Sequence, residues 1–156
     1  MEKKINLYPK REAFGSSEVL ALKRVIKYYR NKKDDPPYRG KFETELSQKF
    51  SKYMNGGYSL PVSSGTSASY VAIQSLNLNH GDEILISPVN DSGPINAIIS
   101  LGLKPRICDT DVNSYNVKLY NITNSITKKT KAVMISHIAG ESSQINKIKS
   151  FLYKKK

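Results

Sequence analysis

The chain has 156 residues and a formal net charge of +12 at neutral pH, and it contains no apolar run long enough to cross a membrane. Its single cysteine, Cys108, excludes an internal disulfide framework and leaves too few thiols for a zinc site, so we expect no metal centre. The basic residues are spread along the chain without a basic stripe or interleaved aromatic residues, which favours solvated faces over nucleic-acid binding. The first residues lack the apolar core of a signal peptide, and we expect a cytoplasmic protein.

Two helices are predicted before the first apolar run. Residues 1–15 have the pattern of an irregular arm. A helix then begins at Ser16 or Ser17, both favourable N-cap residues, and runs to about Arg30 with apolar side chains on one face. A second helix spans about 41–54, where apolar residues recur at helical spacing. Breaks rich in Asp, Pro, Asn and Gly follow the two helices, at 31–40 and 55–57.

From residue 58 onward, short apolar runs alternate with segments of helical periodicity. The predicted strands lie near 58–62, 83–87, 105–108 and 132–136. The predicted helices lie near 66–76, 94–101, 117–125 and 142–153. Strands of four to six residues that alternate with helices are typical of a parallel sheet covered on both faces, so the pattern predicts an α/β fold. Cys108 is expected to be a buried strand residue.

A serine-rich turn, Ser63-Ser64-Gly65-Thr66-Ser67-Ala68, joins the first predicted strand to the helix after it. A glycine here lets the backbone approach a ligand closely. The first N–H groups of a helix lack internal partners and carry the positive end of its dipole, so they can hold a phosphate. Ser64, Thr66 and Ser67 add hydroxyl groups at the same place. An ordinary capped helix start has the same residues, and the turn alone does not decide between the two.

From Tyr38 to Lys149 the chain carries an ordered series of short motifs. They are Phe42-Glu43 with Phe50 and Tyr53, the serine-rich turn, Gly81–Leu85, Asn96–Ile98, Gly102–Pro105 followed by Asp109, Tyr115-Asn116, Ile126–Ala132 and His137–Gly140. In this order the series resembles the DegT/DnrJ/EryC1/StrS aminotransferases. These are pyridoxal-phosphate (PLP) enzymes that mostly aminate keto groups on nucleotide-linked sugars.

The resemblance implies a fold, a cofactor and a substrate class. The fold is an incomplete three-layer PLP-transferase-like large domain with a mostly parallel sheet, preceded by two helices. Residues 1–37 are expected to form an N-terminal arm and helix, and residues 38–156 a partial large domain whose C-terminal portion is absent. By the resemblance, Ser64, Gly65, Thr66 and Ser67 bind the phosphate of PLP, and the substrate is a nucleotide sugar.

The family's catalytic residues have no counterpart in this sequence. In the family a lysine forms a Schiff base with the cofactor aldehyde and an aspartate pairs with the pyridine nitrogen, and both lie beyond the segment that His137–Gly140 resembles. We therefore expect no catalytic residue and no activity from this polypeptide alone. The loop Pro88–Gly93 lacks the aromatic residue that many members stack on the pyridine ring, and it resembles a VTDxG loop found in one branch. Asp91 is expected to form a turn there.

Three functional hypotheses follow. The first is the N-terminal piece of a sugar aminotransferase. Its partner would be either a second chain that supplies the missing C-terminal part or another copy of this chain in a homodimer. The second is a non-catalytic module that binds a phosphate or nucleotide, or that completes another subunit. The third, favoured only by charge, is a basic nucleic-acid-binding protein. The resemblance also implies that strand 58–62, in its family position, has no neighbouring strand in this chain.

Overall fold

The structure is a computed structural model that describes residues 14–32 and 35–154. Contacts divide these residues into two compact units, with the division between Pro61 and Val62. Most of the irregular arm predicted over residues 1–15 lies outside the described residues. The domain boundary after residue 37, which the family resemblance implies, stays a prediction.

The N-terminal unit contains two helices that aromatic contacts hold together. They are α1, Ser16–Lys32, and α2, Lys41–Tyr53, close to the predicted bounds. The Phe42 ring meets the Tyr28 ring edge-on, with centroids 5.5 Å apart, and the guanidinium carbon of Arg24 lies 5.1 Å from the Phe42 centroid. Such contacts stabilise a helix pair beyond the area they bury. No described residue of either helix is fully buried, so the apolar stripes of both helices stay partly exposed.

The second unit, residues 62–154, alternates helices with strands. Its elements are α3 (Gly65–Gln74), β1 (Glu83–Ile86), α4 (Ser92–Ser100), β2 (Lys104–Ile107), α5 (Leu119–Ser125), β3 (Thr130–Met134), a 3₁₀ turn (Ile138–Gly140) and α6 (Ile145–Tyr153). The strands form a parallel sheet in the order β2-β1-β3, with Ile84 beside Pro105 on one side and Ala132 on the other. The predicted α/β architecture with parallel strands is confirmed for these three strands.

The central strand β1 supplies both faces of the core. Side chains alternate between the faces of a strand, so Ile84 and Ile86 pack on the side of α3 and α4 while Leu85 packs on the side of α5 and α6. Both cores are apolar and contiguous. The first cluster contains Ile73, Ile84, Ile86, Ala97, Ile98 and Leu103, and the second contains Leu85, Cys108, Val117, Ile122 and Ile148. Continuous burial of β1 is what a parallel sheet covered on both faces requires.

The prediction of a strand at 58–62 is wrong, because these residues form neither a helix nor a strand. A strand exists through hydrogen bonds to a neighbouring strand, and none of the described strands pairs with this segment. In the N-terminal unit, the segment contacts α2 instead: the Ser59 hydroxyl donates to the Ser47 carbonyl at 2.6 Å. Leu60 lines a small cavity there together with Leu46 and Phe50.

Candidate functional site

The serine-rich turn forms the N-terminus of α3, with Ser64 as its N-cap. The backbone of Ser64 is extended, and its side-chain oxygen accepts a hydrogen bond from the Ser67 amide at 3.0 Å. The Ser64 carbonyl accepts the first intrahelical bond, from Ala68, at 2.9 Å. Ser64 therefore caps α3, a role worth about 1 kcal/mol of helix stability in general.

Among the described residues, the amides of Gly65 and Thr66 at the start of α3 have no hydrogen-bond partner. Ser67 uses its amide in the cap, whereas no hydrogen bond among the described residues involves the amide of Gly65 or Thr66. The Ser67 hydroxyl lies 2.9 Å from the Ser64 hydroxyl and 3.1 Å from the Ser63 hydroxyl, so three hydroxyl groups meet at this turn. Unpaired amides at the start of a helix point out of its N-terminus and form the positive end of its dipole, so they can donate to an anion. The turn can offer backbone donors from Gly65 and Thr66 and hydroxyl donors from the serines.

The space around Gly65 is open. A Cβ atom built on Gly65 meets no other atom within 4 Å, so the backbone surface at this position is accessible to a ligand. Gly65 does not adopt a positive φ, and its lack of a side chain therefore serves access rather than backbone conformation.

A second helix start, that of α4, lies directly against the turn. Asp91 caps α4 by accepting a hydrogen bond from the Gly93 amide at 2.8 Å, which confirms the turn-forming role predicted for Asp91. A Cβ atom built on Gly93 would lie 2.5 Å from the Thr66 hydroxyl oxygen and 3.0 Å from a carboxylate oxygen of Asp91. Gly93 thus lets the first turns of α3 and α4 approach each other. In the sequence, Gly93 is marked only as part of the loop Pro88–Gly93, and the Asp-Ser-Gly pattern is the signal of the turn that it ends.

Two polar atoms near the end of β1 also lack partners within the described residues. Ser87 follows β1 and is 2% exposed, and its hydroxyl has no hydrogen-bond partner. Asn90 accepts a hydrogen bond from the Asp91 amide at 2.9 Å, but its own amide nitrogen has no partner. These groups lie at the carboxyl end of a central parallel strand, the edge where α/β folds bind ligands.

The loops after β2 and β3 are tied to each other by polar contacts. The buried Asn116 accepts a hydrogen bond from the Ile138 amide at 2.9 Å and donates to a carboxylate oxygen of Glu141 at 3.1 Å. The Ser143 amide donates to Nδ1 of His137 at 3.1 Å. These side chains bond to neighbouring loops of the protein itself, so their contacts point to a structural role.

Ionisable groups in this region are shifted by structural contacts. Lys118 and Asp111 form an ion pair, whose hydrogen bond lowers the pKa of Asp111 and raises that of Lys118. Burial raises the pKa of the Cys108 thiol, which lies just beyond β2 and is 1% exposed. A thiol with a raised pKa is a poor nucleophile, so Cys108 acts as a small buried residue. Its predicted burial is confirmed, whereas its predicted place in a strand is wrong, because β2 ends at Ile107.

Within residues 14–32 and 35–154, no group of His, Cys, Asp and Glu side chains has the arrangement of a metal site. Over the same residues, no helix is both long and apolar enough to pass through a bilayer.

A profile of the DegT/DnrJ/EryC1/StrS aminotransferase family matches residues 24–156. The chain belongs to this family. GDP-perosamine synthase of Vibrio cholerae is 29% identical over 111 residues, which cover 71% of this chain and 30% of that enzyme. The dTDP-4-dehydro-2,3,6-trideoxy-D-glucose 4-aminotransferase of Saccharopolyspora spinosa is 33% identical over 94 residues, covering 60% of this chain and 24% of that enzyme. The chain thus spans less than a third of the length of these DegT/DnrJ/EryC1/StrS relatives.

Solved structures share the fold. An aminotransferase from Psychrobacter cryohalolentis superposes with a TM-score of 0.83 at 24% identity, covering 94% of this chain and 36% of that one. A GDP-4-keto-6-deoxymannose-3-dehydratase with a trapped PLP-glutamate geminal diamine gives a TM-score of 0.81 at 23% identity, covering 93% of this chain and 38% of that one. The expected fold, part of a PLP-transferase α/β domain, is confirmed.

Proposed function

We propose that this chain is the N-terminal part of a PLP-dependent nucleotide-sugar aminotransferase, and that Ser64, Gly65, Thr66 and Ser67 hold the phosphate of PLP. The observation that carries the proposal is the pair of unpaired amides, Gly65 and Thr66, at the accessible N-terminus of α3. Family membership and the nucleotide-sugar enzymes among the relatives support the substrate class. A cytoplasmic location fits this role and remains part of the proposal.

The residues at this turn have chemistry that fits a phosphate. An anion is stabilised by N–H donors and by the positive end of a helix dipole, and α3 offers both. The amides of Gly65 and Thr66 and the Thr66 hydroxyl would donate to phosphate oxygens. The Ser64 hydroxyl already accepts from the Ser67 amide, so Ser64 fixes the turn while Ser67 contributes through its hydroxyl.

When bound, PLP supplies an electron sink for breaking a bond at the carbon that bears the amino group. The described residues would bind and orient it through the phosphate. The loop Pro88–Gly93 carries Asn90, whose unpartnered amide nitrogen is a further donor close to the start of α4. The lysine and aspartate on which the family's chemistry depends have no matching position in this sequence. The role proposed for the described residues is therefore to bind and orient the cofactor.

The test of the phosphate role is a titration followed by amide chemical shifts. Adding inorganic phosphate, and separately PLP, to the full chain should shift the amides of residues 64–67, because their N–H groups become hydrogen-bonded. Gly65→Val should abolish these shifts, since a side chain here fills the space that the ligand needs, and a Cβ atom at this position meets no other part of the protein within 4 Å.

Two controls make this titration specific. Ala72→Val, at an exposed position later in α3, places the same side chain on the same helix away from the turn and should leave the shifts intact. Sodium chloride at matched ionic strength controls for the general attraction of anions to a chain of net charge +12. Unchanged shifts in Gly65→Val would contradict the phosphate role.

A second prediction concerns catalysis by the isolated polypeptide. Mixed with PLP, the purified 156-residue chain should retain no cofactor absorbance band after dialysis and should transfer no amino group, because it offers no lysine in a matching position. Absorption spectroscopy before and after dialysis, with and without an amino donor, measures this. A band that survived dialysis and shifted on adding the donor would overturn the prediction.

A further inference from the structure

Asp91 places a negative charge beside the serine-rich turn. A Cβ atom built on Gly93 would lie 2.5 Å from the Thr66 hydroxyl oxygen and 3.0 Å from a carboxylate oxygen of Asp91, so these two oxygens lie no farther apart than the sum of the two distances. Charged groups at such separations interact directly, even where solvent weakens the interaction. A carboxylate therefore lies within reach of a group bound at Thr66.

The carboxylate is held in this position by its role at the start of α4. Its Oδ1 accepts a hydrogen bond from the Gly93 amide at 2.8 Å, and the Asp91 amide donates to the Asn90 side chain at 2.9 Å. Within residues 14–32 and 35–154, no Lys or Arg forms an ion pair with Asp91. This part of the chain thus leaves the charge of Asp91 uncompensated, although the net charge of the chain is +12.

A carboxylate beside a phosphate site has opposite effects on two kinds of ligand group. It repels the phosphate, which the unpaired amides of Gly65 and Thr66 and the dipole of α3 attract. It attracts a positively charged group that the ligand carries close to its phosphate. The cap of α4 does not require this charge, because asparagine serves as an N-cap about as well as aspartate and does not repel an anion.

We propose that Asp91 makes the serine-rich turn select phosphate ligands that carry a protonated amine beside the phosphate. For the cofactor of the proposed function, this is a preference for its amine form, pyridoxamine phosphate, whose amine and phosphate are attached through neighbouring ring carbons. The inference rests on the proposed function, because it assigns a ligand preference to the same phosphate site. Asp91 determines specificity through its charge and not through its capping hydrogen bond.

The test compares two ligands that differ in a single group. Pyridoxamine phosphate carries a protonated amine where pyridoxine phosphate carries a neutral hydroxyl group, and neither has an aldehyde that reacts with lysines. Titration of the full chain, followed by the amide shifts of residues 64–67, gives an affinity for each ligand. We expect pyridoxamine phosphate to bind about two- to fivefold more tightly, the range of solvent-exposed charge interactions. The preference should shrink in about 0.5 M sodium chloride, because salt screens the charge.

Two substitutions separate the charge of Asp91 from its cap. Asp91→Asn keeps a favourable N-cap residue and removes the charge. It should bring the ratio of the two affinities close to one, mainly because pyridoxine phosphate is no longer repelled. Asp82→Asn is the matched control, since Asp82 precedes β1 whereas Asp91 follows it, and the Asp82 carboxylate likewise accepts a backbone hydrogen bond, from the Asn79 amide at 2.9 Å. It removes the same charge and should leave the preference unchanged.

Three results would overturn the ligand preference: equal binding of the two ligands by the unaltered chain, a preference that persists in Asp91→Asn, or loss of the preference in Asp82→Asn as well. In each of these cases, shifts at residues 64–67 would still support the phosphate role of the turn. If neither ligand shifted these amides, the phosphate role itself would be contradicted, and the preference of Asp91 with it.

Discussion

Replacing Ile98 by alanine should lower the free energy of unfolding of the unit 62–154 by about 2–5 kcal/mol. Ile98 is 0% exposed and belongs to the core on the α3 and α4 side of the sheet, where it packs with Ile84 and Ile86 of β1. Truncating it removes buried methyl and methylene groups and leaves a cavity that close-packed neighbours fill only in part. The loss should also loosen α4, whose first turn forms one side of the candidate phosphate site.

The neighbouring residue supplies a matched control. Ile99→Ala makes the same change of side chain on the same helix, but Ile99 is 56% exposed. Its effect should lie within about 0.5 kcal/mol of zero, as for most surface substitutions. The difference between the free energies of unfolding of the two variants thus measures the effect of burial, because both substitutions change helix propensity by the same amount.

Amide hydrogen exchange of Ile84, Leu85 and Ile86 measures the effect on the unit that contains the sheet. It is preferable to a single thermal midpoint, because two compact units need not unfold together. Similar effects of Ile98→Ala and Ile99→Ala would show that the α3 and α4 layer does not form the core described above.

The order of elements in residues 62–154 could be predicted because the sequence pattern and the local physics agree. Apolar runs such as Ile84-Leu85-Ile86 are too short for helices and are continuous, as expected for a strand buried on both faces. The helix bounds lie within three residues of those predicted, since residues near a helix start, such as those around Ser64 and Asp91, compete for the cap position.

The failure at 58–62 has a different physical origin. Tyr58, Leu60 and Val62 alternate as a strand should, but alternation specifies only which face each side chain would take. A strand forms only when its backbone is hydrogen-bonded to a neighbouring strand, and none of the described strands pairs with this segment. The prediction at 58–62 was wrong because it used a local pattern, whereas a strand also needs hydrogen bonds to residues far away in the sequence.

The features of the candidate site also fall into two groups, local ones that the sequence indicates and long-range ones that it does not. The cap at Ser64 and the unpaired amides after it are local features, and the sequence Ser-Gly-Thr-Ser indicated them. The approach of Gly93 to Thr66 joins residues far apart in the sequence, and no periodicity or local motif encodes that distance. The unpartnered groups of Ser87 and Asn90 likewise become evident only when the loops around them are in place.

Gly93 is the residue at which we expect stability and ligand binding to be lost together. In Gly93→Ala, the new Cβ atom would lie 2.5 Å from the Thr66 hydroxyl oxygen and 3.3 Å from the Thr66 Cβ. Rotating the short threonine side chain relieves the first contact but not the second, so the starts of α3 and α4 must move apart. Overpacking of this kind costs about 1–3 kcal/mol.

Gly65→Ala provides the comparison, because the same methyl group at Gly65 meets no atom within 4 Å. At a helical position without positive φ, this change should leave stability unchanged or raise it by up to about 1 kcal/mol, since alanine restricts the unfolded chain. Exchange of the β1 amides measures both stabilities, and phosphate titration measures the response of residues 64–67. Both variants should weaken the phosphate response, Gly65→Ala by occupying the ligand's space and Gly93→Ala by displacing Thr66. If Gly93→Ala kept full stability and a normal response, the close packing of α3 against α4 at Thr66 would have no part in forming the site.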